Sequence, residues 1–247
     1  NLNNHIGVPL SLLEISIETE FAIIEMGANH LGEIKLLSKI AEPNYGYITN
    51  FGKAHLEGFG SEEGIIEGKS ELYDYLINTS GFIFYNSDDE KQNTILSKYT
   101  NKYGFSQKKS DLNYTVISDN PNIILNVKNT TIESTLFGNY NIQNIVSAIL
   151  IGSYFGISIE KIKEGVSNYI PSNNRSQIVK KSSNKIVLDA YNANPTSMTL
   201  AIKSFDKSDL KNKILILGDM FELGKEENKF HQEIVDYCKS LVIDRVF

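Results

Sequence analysis

The sequence predicts an α/β protein with a doubly wound, mostly parallel sheet, and three stretches of the chain carry that prediction. Each is an apolar run that stops in polar residues and is followed by a helical pattern: residues 21–24 before Glu25, 45–49 before Asn50, and 185–188 before Asp189. Continuous apolar runs are typical of strands buried on both faces, and strands that alternate with helices indicate parallel crossover units. Such sheets bind ligands beyond the carboxyl ends of their strands, so the polar residues there form the candidate site.

A carboxylate, an imidazole and an amine follow the first two runs. Glu25 ends the first run and His55 lies in the loop after the second, so the two converge on one crevice if these strands are neighbours. Apolar spacing over residues 62–76 predicts a helix that carries Lys69 towards the same end of the sheet. A carboxylate with an imidazole suits a divalent cation, and oxygen-rich ligation beside a phosphate favours magnesium. Spacing alone favours the alternative, in which Glu25 caps the next helix while His55 and Lys69 are solvated.

The pattern changes between residues 102 and 137 to short alternating strands separated by polar turns. This change predicts a small antiparallel addition to the parallel sheet. No residue of this region points to chemistry.

Two asparagines, Asn141 and Asn144, stand at the start of the apolar helical pattern that follows. They are three residues apart, so their amides project from nearly the same face of a helix. A side-chain amide offers a donor and an acceptor that can match the edge of adenine. N-capping of the helix by asparagine explains the same pair equally well.

The turn-rich stretch from Ile170 to Arg175 is the best domain boundary, which predicts a first domain over residues 1–173 and a second over 174–247. The second domain repeats the order of strand, helix and strand, with Pro195 near the first position of its helix. We therefore expect an incomplete Rossmann-like domain at the carboxyl-terminal side.

Composition excludes several classes of protein. The net charge is −6, from 24 basic and 30 acidic residues, which argues against a nucleic-acid-binding surface. Cys238 is the single cysteine, so an internal disulfide is excluded and a reducing compartment is expected. No apolar run reaches the ~18 to 20 residues of a membrane span. These observations predict a cytoplasmic protein that binds no nucleic acid and does not span a membrane.

Six blocks of sequence, in a shared order, resemble the Mur ligase family. They are residues 25–34, 55–61, 68–69, 139–144, 189–195 and 217–224. Each block alone is weak evidence, but together they span nearly the whole chain. Within the family, the residues of these blocks most resemble those of the ligases that add D-Ala-D-Ala to UDP-N-acetylmuramoyl-tripeptide in peptidoglycan precursor synthesis.

The resemblance implies an ATP-dependent ligase that acts through an acyl phosphate. It implies magnesium ligation by Glu25, His55 and a carbamylated Lys69, with Lys69, His55 and Arg175 as catalytic residues and Arg175 on the ATP phosphates. The family often has histidine where this chain has Tyr140. The other residues that the resemblance places against ATP are Asn141, Asn144, Asp189, Tyr191, Asn192 and Asn194.

The sequence contains no G-x-x-x-x-G-K-[ST] motif, the loop that holds ATP phosphates. In the family such a loop lies just before the segment that matches residues 3–9. We therefore expect a fragment of a longer enzyme, monomeric and without ATPase activity by itself. Two alternatives remain open: another ligase of the superfamily, such as a folylpolyglutamate or cyanophycin synthetase, and a non-catalytic nucleotide-binding module.

Overall fold

The computed structural model of the protein describes residues 2–52, 56–120, 122–172 and 174–247. His55, one of the expected metal ligands, lies outside these described residues. The chain divides into two compact units, one of Asn1–Tyr85 with Ser97–Tyr103 and one of Asn86–Leu96 with Gly104–Phe247. The boundary between residues 173 and 174 is not a limit of either unit, and it stays a prediction from the sequence.

The described residues form helices and strands that alternate along most of the chain. The helices are α1 (Gly7–Leu13), α2 (Glu33–Ala41), α3 (Leu56–Phe59), α4 (Glu62–Asn78), α5 (Glu90–Ile95), α6 (Ile142–Tyr154), α7 (Ile159–Asn168), α8 (Pro195–Lys207) and α9 (Glu227–Lys239). The strands are β1 (Tyr45–Tyr47), β2 (Phe82–Asn86), β3 (Lys102–Ser106), β4 (Leu112–Ser118), β5 (Ile123–Val127), β6 (Thr130–Ser134), β7 (Gln177–Lys181), β8 (Asn184–Leu188), β9 (Ile214–Leu215) and β10 (Arg245–Val246).

One sheet contains β1 to β6, hydrogen-bonded in chain order. β1 is parallel to β2 and β3 is parallel to β4. β4, β5 and β6 form an antiparallel meander, which confirms the predicted addition. The α/β class is therefore confirmed, with parallel pairs followed by antiparallel ones.

The apolar run at residues 21–24 is not a strand, and the prediction that both its faces are buried is wrong. Residues 21–28 have no regular secondary structure. Ile24, Met26 and Ala28 pack against a core of Val8, Ile34 and Leu37 from α1 and α2. On the other side, Phe21 is 63% and Ile23 is 95% exposed. Side chains on both sides of this segment are hydrophobic. Among the described residues, however, the core formed by α1 and α2 covers only one side of it.

Helix α4 is fixed at its start and along its buried face. The hydroxyl of Ser61 accepts a hydrogen bond from the Gly64 N–H at 3.1 Å, which caps the helix. Its buried face carries Ile65, Tyr73 and Leu76. At Gly46 of β1, an added Cβ would stand 2.4 Å from Leu76 Cδ1, so glycine is what lets α4 lie against this strand.

In the second unit, β7 and β8 form an antiparallel hairpin that turns at Ser182, whose φ is 54°. The prediction of a buried parallel strand at residues 185–188 is therefore wrong. Residues 184–186 are exposed, because the hairpin pairs this strand with β7 alone in the described chain. β9 and β10 are parallel, with α9 between them in the sequence, in keeping with the expected Rossmann-like order.

Among the described residues, the search for membrane-spanning helices finds none that is long and apolar enough.

Candidate functional site

Lys69 lies at the carboxyl end of β1. Its Nζ donates a hydrogen bond to the backbone oxygen of Asn50 at 2.8 Å, and Asn50 comes three residues after β1 ends. Burial lowers the pKa of Lys69 from 10.5 to about 8, because a desolvated ammonium is disfavoured. At pH 8 about half of the amine is therefore neutral, the form that can react as a nucleophile or take up carbon dioxide.

Glu25 supplies the carboxylate of the candidate metal site. Its Oε1 accepts a hydrogen bond from the Asn3 amide at 3.1 Å, and the Gly27 N–H donates to the backbone oxygen of Asn3 at 2.8 Å. The described residues contain no group of three or more His, Cys, Asp or Glu side chains that could hold a metal. The Glu25 carboxylate is a suitable ligand for magnesium. Lys69 could join it only as a carbamate, which supplies oxygens, because an ammonium would repel the cation.

Two further carboxylates, which the sequence reasoning missed, hold the loop that follows Glu25. Glu71 of α4 accepts hydrogen bonds from the N–H groups of Gly32 at 2.6 Å and Lys35 at 2.8 Å, so it caps α2 from another helix. Glu33 accepts from the Asn29 N–H at 2.7 Å. Burial raises the pKa of Glu33, but its hydrogen bonds outweigh burial and the net pKa is lowered. The spacing of charged residues gave no signal for the tertiary contacts of Glu71 with Gly32 and Lys35.

Asn141 is buried, and its recorded hydrogen bonds are made within the protein. Its amide nitrogen donates to the backbone oxygen of Phe137 at 2.8 Å and to Ser176 Oγ at 3.0 Å. Its amide oxygen accepts from the Asn144 side chain at 3.2 Å. No side-chain hydrogen bond caps the start of α6, so the N-capping alternative is wrong. Asn144 is exposed, and it is the member of the pair that remains accessible to a ligand.

Tyr140, Ser176 and Asp189 form a hydrogen-bonded network with Asn141. The Tyr140 hydroxyl donates to Asp189 Oδ2 at 2.9 Å and lies 2.8 Å from Ser176 Oγ. The Ser176 N–H donates to Asp189 Oδ1 at 3.1 Å. Burial raises the pKa of Tyr140, and the neighbouring Asp189 carboxylate raises it further, so the phenol stays protonated. Both oxygens of Asp189 are therefore engaged inside the second unit.

Arg175 is exposed and lies over the ring of Tyr191, with the guanidinium carbon 4.0 Å from the ring centroid. Its two neighbours have left-handed backbones, with φ of 57° at Asn174 and 51° at Ser176. Such a conformation costs about 1 kcal/mol or more for a residue with a side chain, so surrounding bonds must hold it. One of these bonds joins the Ala190 N–H to the backbone oxygen of Asn174 at 2.8 Å.

The last two predicted residues make local hydrogen bonds. Asn194 accepts from the Ser197 N–H at 2.9 Å, and Ser197 accepts in return from the Asn194 N–H, so a capping box starts α8. Asn192 Oδ1 accepts from the N–H of Ala193.

The structure links predicted site residues to one another in the second unit, whereas the hydrogen bonds described above for Lys69 and Glu25 in the first unit go to different residues. In the first unit, Lys69 reaches the end of β1, and Glu25 is anchored by Asn3. In the second unit, the predicted residues that share the network or stack are Asn141, Asn144, Asp189, Arg175 and Tyr191. The sequence reasoning missed Ser176 and the hydroxyl contact of Tyr140, since neither has a spacing signal.

Comparison with known proteins adds a family assignment to this geometry. The model of the Mur ligase middle domain matches residues 1–152, and that of the Mur ligase, glutamate ligase domain matches residues 174–247. The chain is 38% identical over 253 residues to a UDP-N-acetylmuramoyl-tripeptide–D-alanyl-D-alanine ligase of Bacillus subtilis, covering 100% of this chain and 55% of that protein. It thus spans about half the length of the curated relatives that it matches.

Two solved structures resemble the fold closely. Crystal structure I of MurF from Acinetobacter baumannii matches with a TM-score of 0.90 and 32% identity, covering 100% of this chain and 55% of that one. MurF ligase from Thermotoga maritima, in complex with ADP, matches with a TM-score of 0.86 and 25% identity, covering 100% and 58%.

Proposed function

Because the chain belongs to the Mur ligase family, we propose that it carries the ATP-dependent activity that joins D-Ala-D-Ala to UDP-N-acetylmuramoyl-tripeptide. The activity serves peptidoglycan precursor synthesis in the cytoplasm, and the protein acts as a monomer. Support comes from the Bacillus subtilis relative, which is a ligase of this kind, and from the ADP bound by the Thermotoga maritima enzyme.

The proposed reaction has two steps. The carboxylate of the tripeptide takes the terminal phosphoryl group of ATP, which leaves as ADP, and an acyl phosphate is formed. The amine of D-Ala-D-Ala then attacks the acyl carbon, loses a proton and releases phosphate, so that an amide bond remains. The first step brings several negative charges together, so the site needs cations more than it needs a protein nucleophile.

The residues of the first unit are assigned to charge neutralisation. Glu25, His55 and a carbamate on Lys69 would hold magnesium, which would neutralise charge on the phosphates when bound. The observation that carries this assignment is the environment of Lys69, whose pKa is lowered to about 8 by burial. A neutral amine is required for carbamate formation, and an ordinary exposed lysine is almost fully protonated at neutral pH.

The residues of the second unit are assigned to ATP. Asn141 and Asn144 would border the adenine, with Asn144 as the accessible amide. Arg175 would meet the phosphates, because its guanidinium is exposed and can form paired hydrogen bonds with phosphate oxygens. Asp189, Tyr191, Asn192 and Asn194 would shape the same site, with Asp189 acting through the network that it shares with Tyr140.

Replacement of the amine at residue 69 tests the function. In the gene product that carries this chain, we expect Lys69→Ala to lower ligation by at least about 100-fold, and added carbonate to restore nothing. Ligation is measured as ADP release that depends on both UDP-N-acetylmuramoyl-tripeptide and D-Ala-D-Ala. Lys229→Ala, at an exposed lysine of α9, serves as the control.

Near-normal turnover by Lys69→Ala would refute the role of this lysine. Offering L-glutamate in place of D-Ala-D-Ala separates the proposal from a folylpolyglutamate-type ligase. If the unaltered protein used L-glutamate and ignored D-Ala-D-Ala, the assignment of substrates would be wrong.

A further inference from the structure

Tyr140 contacts two segments of the second unit, and both lie far from it in the sequence. Its hydroxyl contacts Ser176, the residue after Arg175, and Asp189, which stands two residues before Tyr191. We propose that Tyr140 is a positioning residue, which holds the guanidinium of Arg175 over the ring of Tyr191 by fixing Ser176 and Asp189. The kinetic part of this inference rests on the function proposed above for Arg175.

The backbone on both sides of Arg175 is tied down. On one side, the backbone oxygen of Asn174 accepts the Ala190 N–H at 2.8 Å. On the other side, Ser176 donates its N–H to Asp189 at 3.1 Å, and its hydroxyl lies 2.8 Å from the Tyr140 oxygen. Ser176 is 4% exposed and left-handed, so its conformation depends on these partners.

The Tyr140 hydroxyl also holds the segment that carries Tyr191, the second partner of the stack. Asp189 Oδ2 accepts from Tyr140 at 2.9 Å, while Oδ1 accepts from Ser176. With both carboxylate oxygens bonded, the segment that leads to Tyr191 is held against the segment that contains Arg175. One phenol therefore contributes to the placement of both partners of the stack.

The chemistry of a phenol suits this task. Burial and the Asp189 carboxylate raise the pKa of Tyr140, so the group remains a donor across the working pH range. A hydrogen bond from a neutral donor to a carboxylate is stronger than one between neutral groups. Phenylalanine at this position would keep the ring and remove only the contacts of the hydroxyl with Ser176 and Asp189.

Magnetic resonance of the arginine side chains tests the placement directly. The chain contains two arginines, Arg175 and Arg245, so its Nε–Hε groups give two signals that Arg245→Lys assigns. The face of the Tyr191 ring should shift the Arg175 signal upfield. We expect Tyr140→Phe to move that signal to the position of a solvated arginine and to leave Arg245 unchanged.

A matched control separates placement from general loss of stability. The Tyr99 hydroxyl is a comparable donor in the first unit, where it donates to the backbone oxygen of Gly81. Tyr99→Phe should lower the unfolding temperature and leave the Arg175 signal in place. If Tyr140→Phe unfolds the chain, Ser176→Ala removes the hydroxyl partner and should move the same signal. An unmoved Arg175 signal in a folded Tyr140→Phe chain would overturn the proposal.

A double-mutant cycle tests whether Tyr140 acts through Arg175. In the gene product that carries this chain, Tyr140→Phe should lower kcat about tenfold, as expected for loss of one hydrogen bond to a charged group. In an Arg175→Ala background the same change should have no further effect. An equal loss in both backgrounds would overturn the proposal. If no ligation occurs at all, the proposed function fails, and the arginine signals still decide the placement.

Discussion

At the scale of single residues, the environment of Lys69 decides its chemistry more than its position in the sequence does. The helical spacing over residues 62–76 predicted which end of the sheet this lysine would reach, and α4 does carry it to Asn50. The lowered pKa could not be predicted, because it comes from burial of the amine in the folded chain. An isolated lysine on a helix is most often solvated.

Titration of individual lysines checks this environment. After reductive ¹³C-methylation, we expect Lys69 to titrate with a midpoint near pH 8, whereas the ordinary value is 10.5. Lys229 is the control, because its hydrogen bond to Glu226 raises its pKa. A Lys69 signal that titrates together with the exposed lysines would contradict the assignment.

The same shift predicts how stability depends on pH. Between pH 8 and 10.5 the unfolded chain still holds the Lys69 proton that the folded chain has lost. The contribution of Lys69 to the free energy of unfolding therefore rises with pH across this window. In urea unfolding measured at several pH values, Lys69→Met should flatten that rise.

The asparagines show why the sequence left two interpretations open at position 141. Spacing could match Asn141 either to adenine or to a helix cap, since both need the same amide. In the structure the amide nitrogen donates to Phe137 and Ser176 and does not cap the helix, so the contact with adenine stays a prediction. Ser176 lies 35 residues along the chain, and no local pattern connects the two.

At the scale of elements, helices with a clear period were predicted well and strands less well. The spacing of Ile65, Leu72 and Leu76 predicted α4, and Pro195 does start α8. The runs at residues 21–24 and 185–188 failed for a common reason. An apolar run reports hydrophobicity, whereas strand pairing and burial depend on which other elements lie beside it.

The contact between α2 and α4 gives a prediction at this scale. Glu71 accepts hydrogen bonds from two N–H groups at the start of α2, where its negative charge also interacts favourably with the helix dipole. We expect Glu71→Gln to lower the free energy of unfolding by about 1 kcal/mol, because glutamine keeps one acceptor and loses the charge. Urea unfolding and amide exchange at Gly32 and Lys35 measure the effect.

Glu67→Gln, at an exposed carboxylate of the same helix, is the matched control. It should leave both exchange rates unchanged. If Glu71→Gln also left them unchanged, the capping role of Glu71 would be excluded.

At the scale of the whole chain, the order of the motifs was the most reliable guide. The family follows from the arrangement of six short blocks, each weak alone, and the family models confirm the membership. The division into two compact units could not be predicted in the same way. Compactness depends on contacts between distant segments, which turn-rich sequence marks only indirectly.

The single cysteine of the chain provides a reporter of unfolding for the second unit. Cys238 is 8% exposed on α9, and burial raises the pKa of its thiol. A buried, protonated thiol reacts slowly, so we expect a disulfide reagent at pH 8 to label the native chain at least about 100-fold more slowly than the chain in concentrated urea. Glutathione in the same solutions corrects for the effect of urea, and equal rates would show that α9 does not protect the thiol.

The hairpin of β7 and β8 has a practical consequence for protein engineering. Its register runs from the pair of Lys181 and Asn184 at the tip to the pair of Gln177 and Leu188 at the root. Ser176 comes directly before β7 and Asp189 directly after β8, and the Ser176 N–H donates to the Asp189 carboxylate. A dye attached through Ser183→Cys, at the exposed tip, would therefore lie on the hairpin whose other end is next to Arg175. If Arg175 contacts the ATP phosphates as proposed, the fluorescence of this dye would report nucleotide binding.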